Sequence, residues 1–410
     1  LLSAAYVQFR PKDKGGSVAE APFLEPKTVE APIEEVAGVS DLPGSRLVLA
    51  ERVVTSVDEN GDNRYHTRIL ATDRAGTKRT TVYESDAWTY ETMAMLGSGS
   101  VAVFPETEDG ATVIDLDGKA QSASVPPYRY LGWLPSPDGT SVAVAEADEA
   151  EDGTGADRLI LWDRASGERR TIPVDLQSVD IGEPPSFLVP LAFDTAKKNL
   201  YLQARQSLDD DFAGFALLRI DLDAGSSEVL LTQSEEETSP RRLVSIAPDL
   251  DFALFERQSP DSADDTERAP DLDIEAFSLA DRAFSLWFSQ AGVQAPAIPA
   301  TSPLSPDGRF LALESSDLEH PGVLFWDAKE KKLIRMTESG GFLGWTPDGQ
   351  NMLVEEILQN EGEETSQYQV QSIDRESREL TTVFRYNDVS EGGGMNAKGD
   401  TFFQLIGISS

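Results

Sequence analysis

The sequence predicts an all-β fold: a β-propeller of about seven four-stranded blades, carried behind an extended N-terminal segment. Three observations predict it. From Arg46 onward short β-rich runs alternate with turn clusters, at a mean period of about 50 residues. A β-run ending in Asp and followed by a polar turn recurs in order along the chain. A Pro-Asp-Gly turn, intact or degenerate, precedes these copies by roughly 20–30 residues.

The strand-end copies close on Asp73, Asp115, Asp163, Asp221, Asp327 and Asp374, and a degenerate fifth copy closes on Ser278. An Asp or Ser at a strand end bonds the backbone two or three residues on and so closes the turn into the next strand. Outermost strands are therefore expected at residues 79–84, 169–174, 228–232, 332–337 and 380–385. The second element reads Ser136-Pro137-Asp138-Gly139, Ser305-Pro306-Asp307-Gly308 and Thr346-Pro347-Asp348-Gly349, with weaker forms at 193–196, 247–250 and 396–399. Pro presets φ at the first turn position, and Gly takes the positive φ that a side chain resists. The first run, 46–54, has no such turn before it, and the C-terminus ends in one spare strand, 399–406. That spare strand is expected to complete the first blade and hide its edge. An eighth, atypical blade is the alternative.

The Ser-Pro-Asp-Gly turn and the strand ending in Asp resemble the repeat of TolB-like propellers. Leu161-Trp162-Asp163 and Phe325-Trp326-Asp327 also resemble the strand end of WD repeats. The resemblance runs from the forties to the C-terminus. It implies a fold rather than a function, because such propellers include adaptors, periplasmic complex subunits and accessory domains of peptidases.

Ahead of this body, residues 1–10 start with an apolar run and read as the end of a membrane anchor or as a docking segment. Nine apolar residues are too few to span a bilayer, which needs about 20. Residues 11–44 are rich in Pro and Glu and read as an extended linker, and residues 45–410 form the propeller. The formal net charge of −37 and the lack of any basic stripe exclude nucleic acid as a partner. The acidity fits a strongly hydrated surface or adaptation to salt. There is no cysteine, which removes disulfides and thiolate chemistry and suits an oxidising compartment.

Chemistry is sparse. His66 and His320 are the two histidines, and no G-x-S-x-G elbow offers a nucleophile. Asp58, Asn60 and Asp62 place oxygen ligands at alternate positions and are the metal candidate, for a hard cation such as Ca²⁺. The twelfth position of that loop is Ile69 rather than a carboxylate, so the competing reading is a solvated hairpin. Acidic clusters at 209–211, 235–237 and 261–265 read as solvated loops, and loops 147–157, 206–214, 258–271 and 358–367 exceed hairpin length. Trp88, Tyr128, Tyr130, Trp133 and Trp345 read as core. No catalytic residue and no organic cofactor is expected. The expected role is a non-enzymatic interaction or scaffold propeller, an accessory subunit of an extracytoplasmic or membrane-associated assembly contacted through residues 1–44. The alternatives are a ligand-, glycan- or ion-binding propeller using its central channel and, third, an enzyme.

Overall fold

A computed structural model describes the strands and most of the tight turns. Residues 1–33, 36, 38–41, 43–45, 58–62, 74–77, 88–91, 97–98, 105–110, 118–119, 124–132, 147–157, 178, 195, 197, 208–212, 235–236, 258–271, 291–302, 316–321, 338–339, 347, 359–365, 389–400 and 410 lie outside the described residues.

The strand-end residues Asp163, Asp221, Asp327 and Asp374 do what their position implies. Asp163 Oδ1 accepts from Ser166 N at 2.8 Å, Asp221 Oδ1 from Ala224 N at 2.7 Å and Asp374 Oδ1 from Ser377 N at 2.7 Å. Ser278 Oγ takes the same role for Asp281 N at 3.1 Å. Four residues after the turn-forming residue the chain adopts positive φ: Gly167, Gly225, Arg282, Lys331 and Arg378 occupy that position. An L side chain there costs about 1–2 kcal/mol against glycine's backbone entropy of about 0.5–1. Lys331→Gly, at an exposed site, is therefore expected to stabilise by about 0.5 kcal/mol, read as a higher melting temperature.

The Pro-Asp-Gly turns form a second kind of lock. Ser136, Ser305 and Thr346 are buried, and each hydroxyl donates to the Asp two residues on while accepting from the first amide of the next strand.

These turns organise seven sheets among the described residues, five of four strands, one of five and one of three. Blade 1, from the channel outward, is Thr401–Ser409, Arg46–Val57, Asn63–Asp73 and Lys78–Ala87, with Glu34–Glu35 added in parallel at the outer edge. Blade 2 is Thr92–Met95, Ser100–Phe104, Ala111–Asp115 and Ala120–Ala123. Blade 3 is Trp133–Pro135, Ser141–Glu146, Arg158–Asp163 and Arg169–Ile172. Blade 4 runs Phe187–Phe193, Asn199–Arg205, Phe215–Asp221, Ser226–Gln233, and blade 5 runs Arg241–Ile246, Phe252–Arg257, Leu272–Ser278, Phe284–Gln290. Blade 6 keeps Phe310–Ser315, Gly322–Asp327 and Lys332–Arg335, with a single bridge from Leu304 to Leu311 in place of an inner strand. Blade 7 is Gly341–Trp345, Asn351–Leu358, Ser366–Asp374 and Leu380–Asp388.

The spare C-terminal strand does complete blade 1, but as its innermost strand. Thr401–Ser409 pairs antiparallel with Arg46–Val57 over eight residue pairs, from Arg46↔Ser409 to Val53↔Thr401. The degenerate turn at 396–399 thus leads into a first strand, unlike the Pro-Asp-Gly turns, which lead into second strands.

The second strands read as continuous apolar runs because both of their faces are buried. In blade 7 Met352 and Val354 pack toward blade 6, while Leu353 between them packs toward blade 1. In blade 6 Phe310 and Ala312 face blade 7, and Leu311 and Leu313 face blade 5. The period-two alternation of a strand thus feeds two separate layers. Seven such layers occur, one between each consecutive pair of blades, and the last joins Leu47 of blade 1 to Leu353, Val370 and Val383 of blade 7. The ring is closed by packing as well as by strand pairing.

Candidate functional site

Antiparallel order inside a blade fixes which connections share a face of the disc. First-to-second and third-to-fourth turns lie on one face, here the turn face. Second-to-third and blade-to-blade connections lie on the other, here the loop face. All four long loops of the sequence, at 147–157, 206–214, 258–271 and 358–367, are second-to-third connections, and the strand ends they join lie on a single face. The acidic clusters at 209–211, 235–237 and 261–265, all but Glu237 outside the described residues, fall in connections that join strand ends on that same face. Every one of the seven second-to-third connections contains at least two Asp or Glu, and Arg268 is the sole Lys or Arg in any of them. Six of the seven third-to-fourth turns, by contrast, carry a Lys or Arg. The net charge of −37 is therefore polarised across the disc.

Asp58, Asn60 and Asp62 lie outside the described residues, as do Trp88, Tyr128, Tyr130 and His320. The strands flanking the metal candidate are paired up to Val57↔Asn63, so that connection leaves from and returns to the loop face of blade 1. His66 lies on the third strand of blade 1, its Nδ1 3.1 Å from Asp86 Oδ1 at the surface. No group of three His, Cys, Asp or Glu is gathered to hold a metal ion among the described residues. Trp345 is core: it stacks with Phe325 at 5.1 Å and donates its Nε1 to Pro303 O at 3.0 Å.

Beneath the loop face the strands carry a layer of buried ion pairs that the sequence did not announce. In blade 5 Arg242 Nε donates to Glu256 Oε2 at 2.8 Å, Arg241 Nε to Glu275 Oε2 at 2.8 Å, and Arg257 Nη2 to Asp273 Oδ2 at 2.6 Å. Glu256 and Glu275 are each 8% exposed. Blade 1 repeats the device with Arg68 on buried Glu51. In blade 7 Gln369 donates to Glu356 at 2.5 Å. Burial acts to raise the carboxyl of Asp273, but hydrogen bonds from Arg257 and Ser289 and the charge of Arg257 outweigh it and hold it below its ordinary value. A carboxylate kept ionised by a guanidinium is a poor proton donor. Chemically the Arg257–Asp273 pair is a fixed charge rather than a general acid. In blade 4 Gln206 braces the start and end of its second-to-third connection: its Nε2 donates to Ile181 O at 2.9 Å, and its Oε1 accepts from Gly214 N at 3.1 Å. Beside this layer, between blades 4 and 5, a cavity of about 250 Å³ is lined by Gln233, Glu237, Arg241 and Phe284 among others.

On the turn face, cations staple blade to blade. Arg375 Nη1 donates to Asp307 Oδ2 at 2.6 Å, Arg170 Nη1 to Leu222 O at 2.9 Å, and Arg282 pairs with Glu228. Arg309 donates to both oxygens of Asp327. Burial pushes the Asp327 carboxyl up, but the bonds from Arg309 and from the amides of Glu330 and Lys329 hold it below 3.8. Its folded value lies below its unfolded one, so its stabilisation is complete above about pH 4 and fades as the pH falls toward the folded value. Asp327→Asn is expected to melt earlier at neutral pH and to lose less further stability on acidification. Melting temperatures measured from neutral to strongly acidic pH check this.

The layer of ion pairs escaped sequence reading because its members are far apart in the chain. Arg241 meets Glu275 only when the first and third strands of blade 5 come together. The faint signal was carboxylates alternating with apolar residues inside a strand, as Asp273 and Glu275 do in Leu272–Ser278.

No protein-family model and no curated protein sequence matches the chain. Solved structures match its fold. A puromycin-hydrolyzing peptidase from Mycobacterium tuberculosis aligns at TM-score 0.52 and 14% identity, over 82% of this chain and 53% of that one. Oligogalacturonate lyase in complex with manganese aligns at 0.51 and 14%, over 80% and 91%. TolB from Acinetobacter baumannii aligns at 0.42 and 14%, over 93% and 96%. Two of these are enzymes, and that corrects the expectation of a non-enzymatic module: few histidines and a missing nucleophile elbow do not set this fold apart from enzymes. The chain is an all-β propeller, as its repeated strand-end Asp and Pro-Asp-Gly turns predict.

Proposed function

We propose that this propeller is the substrate-binding element of an enzyme, and that its loop face receives a ligand carrying positive charge. One observation carries the reading: every second-to-third connection joins strand ends on the same face, and in sequence each holds at least two carboxylates, with Arg268 as the lone Lys or Arg. Carboxylates gathered on one face over a low-dielectric body focus the field and raise the local concentration of cationic ligands. The occurrence of the fold in a peptidase and a lyase supports an enzymatic setting. In the peptidase, where this chain spans 53% of the length, the remaining residues are the natural comparison for a catalytic partner. On this reading residues 1–44 contact that partner or a membrane, and the protein works outside the cytoplasm, as the absence of cysteine suits.

The test is binding of a lysine-rich peptide to the full chain, with a glutamate-rich peptide of equal length as control. The lysine-rich peptide is expected to bind in a strongly salt-dependent manner. Replacing Asp209, Asp210, Asp211, Asp261, Asp264 and Asp265 by Asn is expected to weaken that binding about tenfold or more. Equal binding of both peptides, or no effect of the six substitutions, overturns the proposal.

A further inference from the structure

The rim of the disc is made of the outermost strands of the blades, and an edge strand presents N–H and C=O groups that another strand can join. Blade 1 shows the join made: Glu34–Glu35 adds in parallel to its outermost strand at Lys78 and Arg79. Elsewhere the edges are guarded by charge, with Arg169 and Arg170 in blade 3, Glu228 in blade 4, Lys332 in blade 6 and Arg385 in blade 7. Charged side chains of this kind discourage strand addition. Blade 2 has an uncharged edge, Ala120–Ala123, but it is only four residues long.

Blade 5 is both long at its edge and unguarded. Its outermost strand, Phe284–Gln290, reads Phe-Ser-Leu-Trp-Phe-Ser-Gln, seven residues without a charge. The strand falls within 283–306, the longest stretch of the chain free of Asp, Glu, Lys, Arg and His. Leu286 on this edge is 62% exposed, and among the described residues it is the one large hydrophobic side chain left so exposed. The third strand pairs Ile274 with Phe288 and Glu275 with Leu286, so Trp287 sits in a bulge. The outermost strands of blades 1, 4 and 7 carry the same irregularity, and blade 1 takes its added strand all the same.

We propose that this edge is where two copies of the chain associate, rim to rim, about a two-fold axis beside Leu286. A two-fold makes the joined strands antiparallel and sets Leu286 of one copy opposite Leu286 of the other. Charge selects a second copy as the occupant. Each chain carries −37, and here two such bodies meet with no carboxylate on the contact strand. Antiparallel joining also turns one disc over relative to the other. The loop-face ends Arg257 and Leu272 of one copy, joined by a connection that is acidic in sequence, then lie on the same side as the turn face of the other, where Arg282, Lys329 and Lys331 are exposed. Opposite charges therefore face each other across the rim. Both faces of the disc stay open, so the contact is independent of ligand binding at the loop face. One edge strand is small beside the about 1,200–2,000 Å² that stable interfaces bury, so the dimer is expected to form reversibly.

The experiment is analytical ultracentrifugation of the full chain over a wide range of concentration. A shift from one-chain to two-chain mass is expected as the concentration rises. Leu286→Lys places like charges opposite each other and is expected to weaken the dimer about tenfold or more. The side chain is exposed, so the melting temperature of the dilute protein should not change. Thr171→Lys, at an exposed position on the edge of blade 3, is the control and is expected to leave association as it was. The chain has no cysteine, so Leu286→Cys supplies a single thiol. Opposed residues of antiparallel strands have Cα atoms about 4.5–5.5 Å apart, within reach of a disulfide. Mild oxidation is expected to link two copies of the Leu286→Cys protein and to leave Thr171→Cys unlinked. A one-chain mass at every concentration overturns the proposal and leaves the edge to an extended segment of some other protein. A dimer that survives Leu286→Lys, or that does not link through Leu286→Cys, overturns it as well.

Discussion

Removal of Thr401–Ser409 is expected to abolish cooperative folding of the whole ring, the largest effect of any single change considered. The strand supplies eight residue pairs to Arg46–Val57, and it lies against the first strand of blade 2, where Ile406 packs on the layer around Met93 and Val101. Gly407 approaches Met95 so closely that an added Cβ would fall 2.4 Å from Met95 Cγ. Without the strand, Arg46–Val57 becomes an open edge facing the channel, and the layer joining blades 7 and 1 loses its support. A domain of this kind holds together by about 5–15 kcal/mol in all, and loss of closure exceeds that reserve. Calorimetry should show no single transition for the truncated chain. Adding the missing strand as a peptide should restore one. A truncated protein that melts within a few degrees of the intact one would show that closure rests on the blade layers alone.

The second large effect is expected from Glu256→Ala, at about 3–5 kcal/mol of lost stability. Glu256 is buried and bonded to Arg242, whose side chain is 11% exposed. Truncation leaves that guanidinium in a low-dielectric layer without its partner, and the cost is its uncompensated desolvation. Replacing both members with apolar residues, as Arg242→Met with Glu256→Leu, should restore most of the loss, because a buried ion pair and a well-packed apolar pair are often close in energy. Denaturant unfolding of the two single variants and the double variant completes the cycle. If the double variant is as unstable as Glu256→Ala, the pair contributes through geometry that apolar groups do not reproduce.

Much of the fold was legible because propeller blades punctuate themselves locally. Asp163, Asp221, Asp374 and Ser278 close their turns within three residues, and a bond of that range is written in a few letters of sequence. The locks at Ser136, Ser305 and Thr346 are equally local. What escaped reading depends on long-range pairing. The spare C-terminal strand was recognisable, but its place inside Arg46–Val57 depends on register with a strand at the other end of the chain. Among the described residues blade 6 has a single bridge from Leu304 to Leu311 where other blades have an inner strand, and the segment around Leu304 differs little in composition from its neighbours. The charge asymmetry was present in the letters all along. It became visible only when antiparallel order sorted the connections into two faces.

Joining the two ends of the chain in one blade also sets a clock for synthesis. Arg46–Val57 is the first full strand of the ring to leave the ribosome, and its inner neighbour is the last. Roughly 340 residues separate them, which at 5–20 residues per second is a delay of about 20–70 s. For that interval blades 2 to 7 complete their own sheets from consecutive strands as they emerge, while blade 1 waits with its inner edge unpaired. The nascent protein is thus an open arc until Thr401–Ser409 arrives, and closure then pairs the inner edge of Arg46–Val57 in one step.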